Sequence, residues 1–340
     1  MKRRDFLAAV SALGASVPLR GVWAQSKTFL TMDGFPPGSS AGQLSIAFSQ
    51  IVQKYLPIEI QVSVGKPSTK SALDAAQDKV DLFVSAPSIN QYMKTRTAMF
   101  AKVENAPELV TNLRNILAYK IGELHIVAYE DSGITKLEDF KGKKVFLGPP
   151  GSAATSVYLN MVEAATGMVA GKDYEVMRYD WQSAETAFLD RQMDVYMIAT
   201  YLPSPSIQQF AMVNPIRLIG LSEEQLAKPG MKAVLDLPGR TVEVIPAGSY
   251  ENQVNSEEIV TLGTWGSLDT NKWLDEELVY EMTGAVFDHL AEFQSTAAWM
   301  SSINRNTVFT KGNIPLHIGA YRYYKENGFD VPADRIPPEA

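Results

Sequence analysis

Apolar positions along this chain switch repeatedly between two periods. Short apolar runs bounded by Gly, Pro or Asp read as strands at Thr28 to Met32, Ile58 to Val64 and Leu82 to Ser85. Between them, Gln43 to Tyr55 and Ser71 to Lys79 carry apolar residues every three or four positions, as one face of a helix does. The same order returns at Lys144 to Leu147, Ser156 to Ala165, Tyr174 to Tyr179, Ala184 to Arg191 and Val195 to Thr200. Strands that alternate with helices predict an α/β fold whose sheets are mainly parallel and flanked by helices.

The two series are also alike in sequence. Pro36-Pro37-Gly38-Ser39-Ser40 recurs as Pro149-Pro150-Gly151-Ser152-Ala153, so Gly38 and Gly151 are 113 positions apart, as are Asp81 and Asp194. The second helix opens at a matching offset, after Pro67-Ser68-Thr69 and after Asp180-Trp181-Gln182. Two similar lobes follow from this repeat. Length agrees, because the chain has 340 residues and single cores stop growing near ~250–300.

The N-terminus adds a compartment. Lys2-Arg3-Arg4-Asp5-Phe6-Leu7 places paired arginines before the apolar run Phe6 to Leu13, and Val22-Trp23-Ala24 supplies small residues for cleavage. That order reads as an export signal over residues 1–24, cleaved after Ala24, and resembles a twin-arginine address. The mature protein is expected in the periplasm. No later stretch approaches the ~20 apolar residues of a membrane span, and the chain has no cysteine for a lipid anchor, a disulfide or a thiolate metal site. Losing the signal takes Lys plus Arg from 31 to 27 and Asp plus Glu from 38 to 37, a net charge of −10. Such a balance argues against nucleic acid as a partner, yet a local site can still hold an anion.

Candidate chemistry gathers at the duplicated loop. A loop from a strand's carboxyl end into a helix lies where open α/β sheets bind ligands. Glycine admits close approach, serine can cap the helix, and the first-turn amides carry partial positive charge. Two such ends on matching halves suggest a cleft closing on one anion, with ordinary helix capping as the alternative role for the serines. Gly38-Ser39-Ser40-Ala41-Gly42 also fits a Gly-x-Ser-x-Gly nucleophile elbow, and His289 or His317 could complete a serine hydrolase. The two prolines make a poor elbow, and the Gly151 copy lacks the final glycine. His125, His289 and His317 are too scattered for a metal motif, no phosphate- or dinucleotide-binding glycine loop is present, and no cofactor is expected.

Leu137-Glu138-Asp139-Phe140-Lys141-Gly142-Lys143-Lys144-Val145 ahead of Gly148-Pro149-Pro150-Gly151-Ser152 resembles the start of the second lobe in type II periplasmic binding proteins. Ile245-Pro246-Ala247-Gly248-Ser249-Tyr250 and the stretch Pro315 to Lys325 are similar to the TAXI-type solute receptors of TRAP transporters. The resemblance implies a Venus-flytrap receptor without enzymatic activity. Its ligand would be a small anionic metabolite, glutamate or dicarboxylate-like, and its partner a TRAP permease. It implies ligand contacts at Gly38, Ser39, Ser40, Ser68, Thr69 and Ser85 from lobe I, and Ser152, Ala153, Thr155, Thr200 and Tyr201 from lobe II. Lobe I would comprise residues 25–123 plus 260–340 and lobe II residues 124–259, with crossings at Leu124 to Glu130 and near Ile259 to Gly263. The chain departs from the family at Ser40-Ala41-Gly42-Gln43-Leu44 and at Lys66-Pro67-Ser68-Thr69, where Lys66 could neutralise an extra carboxylate. Tripartite tricarboxylate receptors, whose first loop also carries Phe-Pro-Pro-Gly, are the neighbouring alternative.

Overall fold

The computed structural model describes residues 28–340; the predicted export signal lies outside the described residues. The two series fold as two copies of one unit on a shared ten-stranded sheet. The strands are β1 (Phe29–Asp33), β2 (Glu59–Ser63), β3 (Leu82–Ser85), β4 (Leu113–Tyr129) and β5 (Lys144–Phe146). They continue as β6 (Glu175–Val176), β7 (Val195–Thr200), β8 (Ile216–Leu218), β9 (Arg240–Ile245) and β10 (Ile259–Asn271). Their order is β2-β1-β3-β10-β4-β7-β5-β6, with β8 beside β4 and β9 beside β10.

Each half is thus a parallel trio closed by one long antiparallel strand: β2-β1-β3 against β10, and β6-β5-β7 against β4. Parallel pairing is confined to these trios. The centre is antiparallel because β4 and β10 run past one another from one half into the other.

Helices cover both faces. The first half carries α1 (Ser40–Tyr55), α2 (Ser68–Ala75), α3 (Pro87–Thr95) and the single turn α4 (Ala106–Leu109). The second carries α5 (Ala153–Thr166), α6 (Trp181–Leu189), α7 (Pro205–Val213), α8 (Glu223–Leu226) and α9 (Pro229–Leu235). After β10 come α10 (Glu276–Asp288), α11 (Leu290–Ser295) and α12 (Ile318–Glu326), which return to the first half. No helix among the described residues is long and apolar enough to cross a membrane.

Local chemistry sets the boundaries. Ser39 Oγ accepts from Gly42 N at 3.1 Å to open α1, which buries Leu44, Ala47, Phe48, Ile51 and Val52 on one face. Leu56 ends it in extended backbone because it precedes Pro57. In the second half, Ser152 Oγ accepts from Thr155 N at 3.2 Å, and Gly167 ends α5 in the left-handed region. The second helix of the first half starts at Ser68, one turn before the predicted Ser71, because Pro67 presets its entry.

Four apolar clusters fill the faces, two per half. Leu44 and Phe48 of α1 meet Val279, Met282 and Tyr324 on one side of the first sheet half, while Phe83, Ile89 and Phe100 fill the other. Val157 and Met161 of α5 meet Met231 and Val234 in the second half, opposite a stack of Phe188, Tyr196 and Phe210. Each such side chain contributes roughly 1.5–3 kcal/mol by leaving water.

The passages between halves differ from the expected crossings. β4 begins at Leu113, well before Leu124, and exchanges β10 for β7 as neighbour at Glu123. β10 is thirteen residues long and begins at Ile259, so it runs on to Asn271, well past a simple crossing at Ile259 to Gly263. Gly122, at φ +131°, lies where β4 meets β7; a Cβ there would sit 2.1 Å from the Thr200 carbonyl oxygen. Only glycine permits that approach.

Candidate ligand-binding cleft

The carboxyl ends of both parallel trios open onto a cleft of about 580 Å³ between the halves. The duplicated Pro-Pro-Gly-Ser loops form its rims, and Tyr119, Ile121, Thr264 and Arg240 from the crossing strands contribute to its lining. Of the residues expected to touch a ligand, Gly38, Ser39, Ser40, Ser68, Ser85, Ser152 and Ala153 line this cleft.

Their roles divide by hydrogen bonding. Ser39 and Ser152 are occupied as helix caps; Ser39 Oγ also donates to the Pro36 carbonyl at 3.0 Å, and Ser152 Oγ is shared with Thr155 Oγ1 at 3.0 Å. Ser40 and Ser85 are different. Both are buried at the cleft, and neither Oγ has a hydrogen-bond partner among the described residues. An unmet hydroxyl in a buried site costs about 1–3 kcal/mol, so these two groups are poised for an incoming acceptor or donor.

The remaining expected residues do not line the cleft. Thr69 Oγ1 reaches across the halves to donate to the Gly151 carbonyl at 3.0 Å. Thr155 Oγ1 donates to the Pro149 carbonyl at 2.7 Å, inside the turn of the loop. Thr200 is fully buried on β7, its Oγ1 without a partner. Tyr201 joins the halves from another side: its hydroxyl accepts from Gln43 Nε2 at 2.6 Å, while Gln43 Oε1 accepts from Trp299 Nε1 at 2.7 Å. The Tyr201 and Trp299 rings stack with centroids 5.7 Å apart.

Lys66 lines the cleft but is already neutralised. Its Nζ lies 2.7 Å from Asp33 Oδ2 and 3.0 Å from Asp74 Oδ2, which replaces the expectation of a cation free for a ligand.

Among the described residues that line the cleft, the cation without a carboxylate partner is Arg240, which the motifs did not single out. It is 5% exposed and opens β9 directly opposite Thr264 of β10. Nη1 donates to Thr264 Oγ1 at 2.5 Å, Nε is buried without a partner, and it forms no salt bridge among the described residues. Burial pulls its pKa down, opposed by the nearby hydroxyls of Tyr158 and Tyr92. A guanidinium nevertheless stays protonated, so the cleft holds an uncompensated positive charge. The signal in the sequence was the alternation of Thr241-Val242-Glu243-Val244 after Gly239, which marks β9 and puts Arg240 at its inner end.

Glu185 also lines the cleft, from α6. It accepts from Ser206 Oγ at 2.8 Å, and burial raises its pKa. The histidines are committed elsewhere. His125 Nε2 meets Tyr250 Oη at 2.7 Å and burial pushes its pKa down to about 4. His317 caps α12 and is likewise pushed down to about 4, first by burial. His289 stacks on Tyr55 at 3.5 Å, at the far end of α1 from Ser40, about 22 Å along the helix axis. Among the described residues no histidine hydrogen-bonds Ser40 Oγ in the Gly38 to Gly42 elbow, as a serine nucleophile's base would.

Residues 43–328 match one protein family. The chain belongs to the NMT1-like family. This NMT1-like chain also shares its fold with solved structures of low sequence identity. The periplasmic binding protein BugD is 12% identical over 90% of this chain and 99% of its own, with a TM-score of 0.56. A protein from Bordetella bronchiseptica RB50 is 12% identical over 90% of this chain and 91% of its own, with a TM-score of 0.50. The match to BugD makes the two-lobed periplasmic-binding-protein architecture of this NMT1-like chain explicit.

Proposed function

We propose that this NMT1-like protein is an extracytoplasmic solute receptor that closes its two lobes on a small anionic metabolite and delivers it to a TRAP-type membrane permease. The observation that carries the reading is Arg240, a buried guanidinium with no carboxylate partner among the described residues, lining a cleft between lobes. A charge withdrawn from water at a cost of several kcal/mol is retained where a ligand supplies its counter-ion. Ser40 and Ser85 add unmet hydroxyls beside it, and the first-turn amides of α1 and α5 add partial positive charge.

The motifs at Ile245 to Tyr250 and Pro315 to Lys325 support the TAXI subtype and a glutamate- or dicarboxylate-like ligand. The Phe35-Pro36-Pro37-Gly38 run keeps a tripartite tricarboxylate-type receptor as the second reading. Export through the Met1 to Ala24 leader would place the mature protein in the periplasm. We take the lobes to meet where β4 and β10 change neighbours, at Tyr119 to Glu123 and Gly263 to Ser267, which moves the expected borders by a few residues.

Metabolites retained by the mature protein, identified by mass spectrometry and titrated calorimetrically, test the function. Arg240→Gln should weaken binding of the retained anion by about 2–5 kcal/mol, some thirtyfold or more. Unchanged affinity in that variant would overturn the anion-receptor reading.

A further inference from the structure

Four charged side chains line the cleft: Lys66, Asp180, Glu185 and Arg240. Two of them are satisfied. Lys66 is held by Asp33 and Asp74. Asp180 caps α6, accepting from Ser183 N at 2.8 Å and from Ser183 Oγ at 3.0 Å. The other two, Arg240 and Glu185, have opposite charge and are unbalanced. They form no salt bridge with each other or with any other described residue; Glu185 has a neutral hydroxyl from Ser206 as its donor. They also approach from different elements, Arg240 from the start of β9 at the crossing and Glu185 from α6.

A ligand carrying only negative charge would balance Arg240 and leave Glu185 facing more negative charge in a water-poor site. A ligand carrying both signs balances both. Resting on the receptor reading above, we propose that the ligand is a zwitterion, with its carboxylate on Arg240 and its protonated amine on Glu185. Trp181 reinforces the cationic end. It lines the cleft one turn before Glu185 on the same helix, so an ammonium held by the carboxylate lies within reach of an indole ring. The unmet hydroxyls of Ser40 and Ser85, on the first lobe, suit the carboxylate end.

Matched ligand pairs test this. The mature protein is titrated calorimetrically with L-glutamate and glutarate, 4-aminobutanoate and butanoate, and L-leucine and 4-methylpentanoate, which differ within each pair by the amine. At least one aminated member should bind about tenfold or more tightly than its partner, the range of a hydrogen bond to a charged group. Glu185→Gln keeps an acceptor for Ser206 and should fold with an unchanged thermal midpoint. It should bring that pair to within about twofold, the deaminated member binding no more weakly than to wild type because the facing carboxylate is gone. If no pair shows a preference for the amine, or the preference survives Glu185→Gln, the zwitterion assignment is wrong. Arg240→Gln separates this from the function itself. Loss of both members of a pair in that variant leaves the carboxylate site standing, whereas binding that ignores Arg240 removes the anion-receptor reading as well.

Discussion

The two halves keep the same scaffold bonds and differ in what they show to the cleft. Asp81 Oδ2 accepts from Thr31 N at 2.8 Å, and Asp194 Oδ2 accepts from Lys144 N at 2.7 Å, each pair 50 residues apart. Ser39 and Ser152 cap equivalent helices. At positions equivalent by the repeat, however, Ser40 corresponds to Ala153, Ser85 to Ile198, and Ala72, which does not line the cleft, to Glu185. The repeat therefore separates two demands on a sequence. Residues that start a strand or cap a helix were kept, and residues one step further into the cleft diverged, leaving hydroxyls on one lobe and a carboxylate on the other.

Acid should distinguish the halves most strongly. Asp269 is fully buried in the first half, accepting from Asn115 Nδ2 and Ser267 Oγ at 2.8 Å, and burial pushes its pKa up to about 6. A raised folded-state pKa favours the protonated form, so this group's contribution is complete below about pH 4 and is lost as pH rises through 6. Asp269→Asn should remove that loss. Its stability relative to wild type should rise by up to about 3 kcal/mol between pH 4 and 6, read from denaturant unfolding at each pH. A constant difference across the window would show that Asp269 does not titrate there.

Removing the paired aspartates probes the scaffold directly. Asp81 is buried and also accepts from Thr31 Oγ1 at 2.9 Å, so Asp81→Ala strands a partly buried amide and hydroxyl and should cost about 1–3 kcal/mol. Asp194 is more open to water, which can replace it at Lys144 N. Asp194→Ala should cost under about 1 kcal/mol, and equal losses would mean the repeat is energetically symmetric.

The serines give the smallest and most specific contrast. Ser39→Ala and Ser152→Ala should each lower stability by about 0.5–2 kcal/mol through loss of a cap, with little change in ligand affinity. Ser40→Ala should do the reverse, weakening binding by about 0.5–1.5 kcal/mol and sparing the thermal midpoint. A matching pattern at all three positions would erase the distinction between capping and contact.

The repeat, the strand–helix order and the loops that rim the cleft were legible in the sequence, because they rest on local signals: apolar period, prolines and helix caps. Strands β3 and β7 were placed to the residue. Arg240 was hidden for a different reason. It lies nearly ninety residues beyond the second loop and reaches the cleft only because β9 pairs with β10, a contact no local pattern reveals. The fate of Lys66 was hidden similarly, since its partner Asp33 comes from the end of β1. Thr69 and Tyr201 were expected at the ligand and instead tie the lobes together, a role set by the facing lobe and not by their own segments.

β4 and β10 stay hydrogen-bonded to each other along the whole passage between lobes, with an irregularity at Thr264 and Trp265 that leaves Ile121 unpaired on β4. A bulge of this kind bends a ladder locally without cutting it. Opening the cleft must therefore flex a two-stranded ribbon and cannot proceed by swivelling about loose single chains. Such a ribbon behaves as a leaf spring: its stiffness limits the gape, and the strain of any wider opening returns the lobes toward each other. On the receptor reading, size selection would then be a mechanical property of the hinge, because a solute too bulky for the sprung gape would be turned away before its charges are ever read.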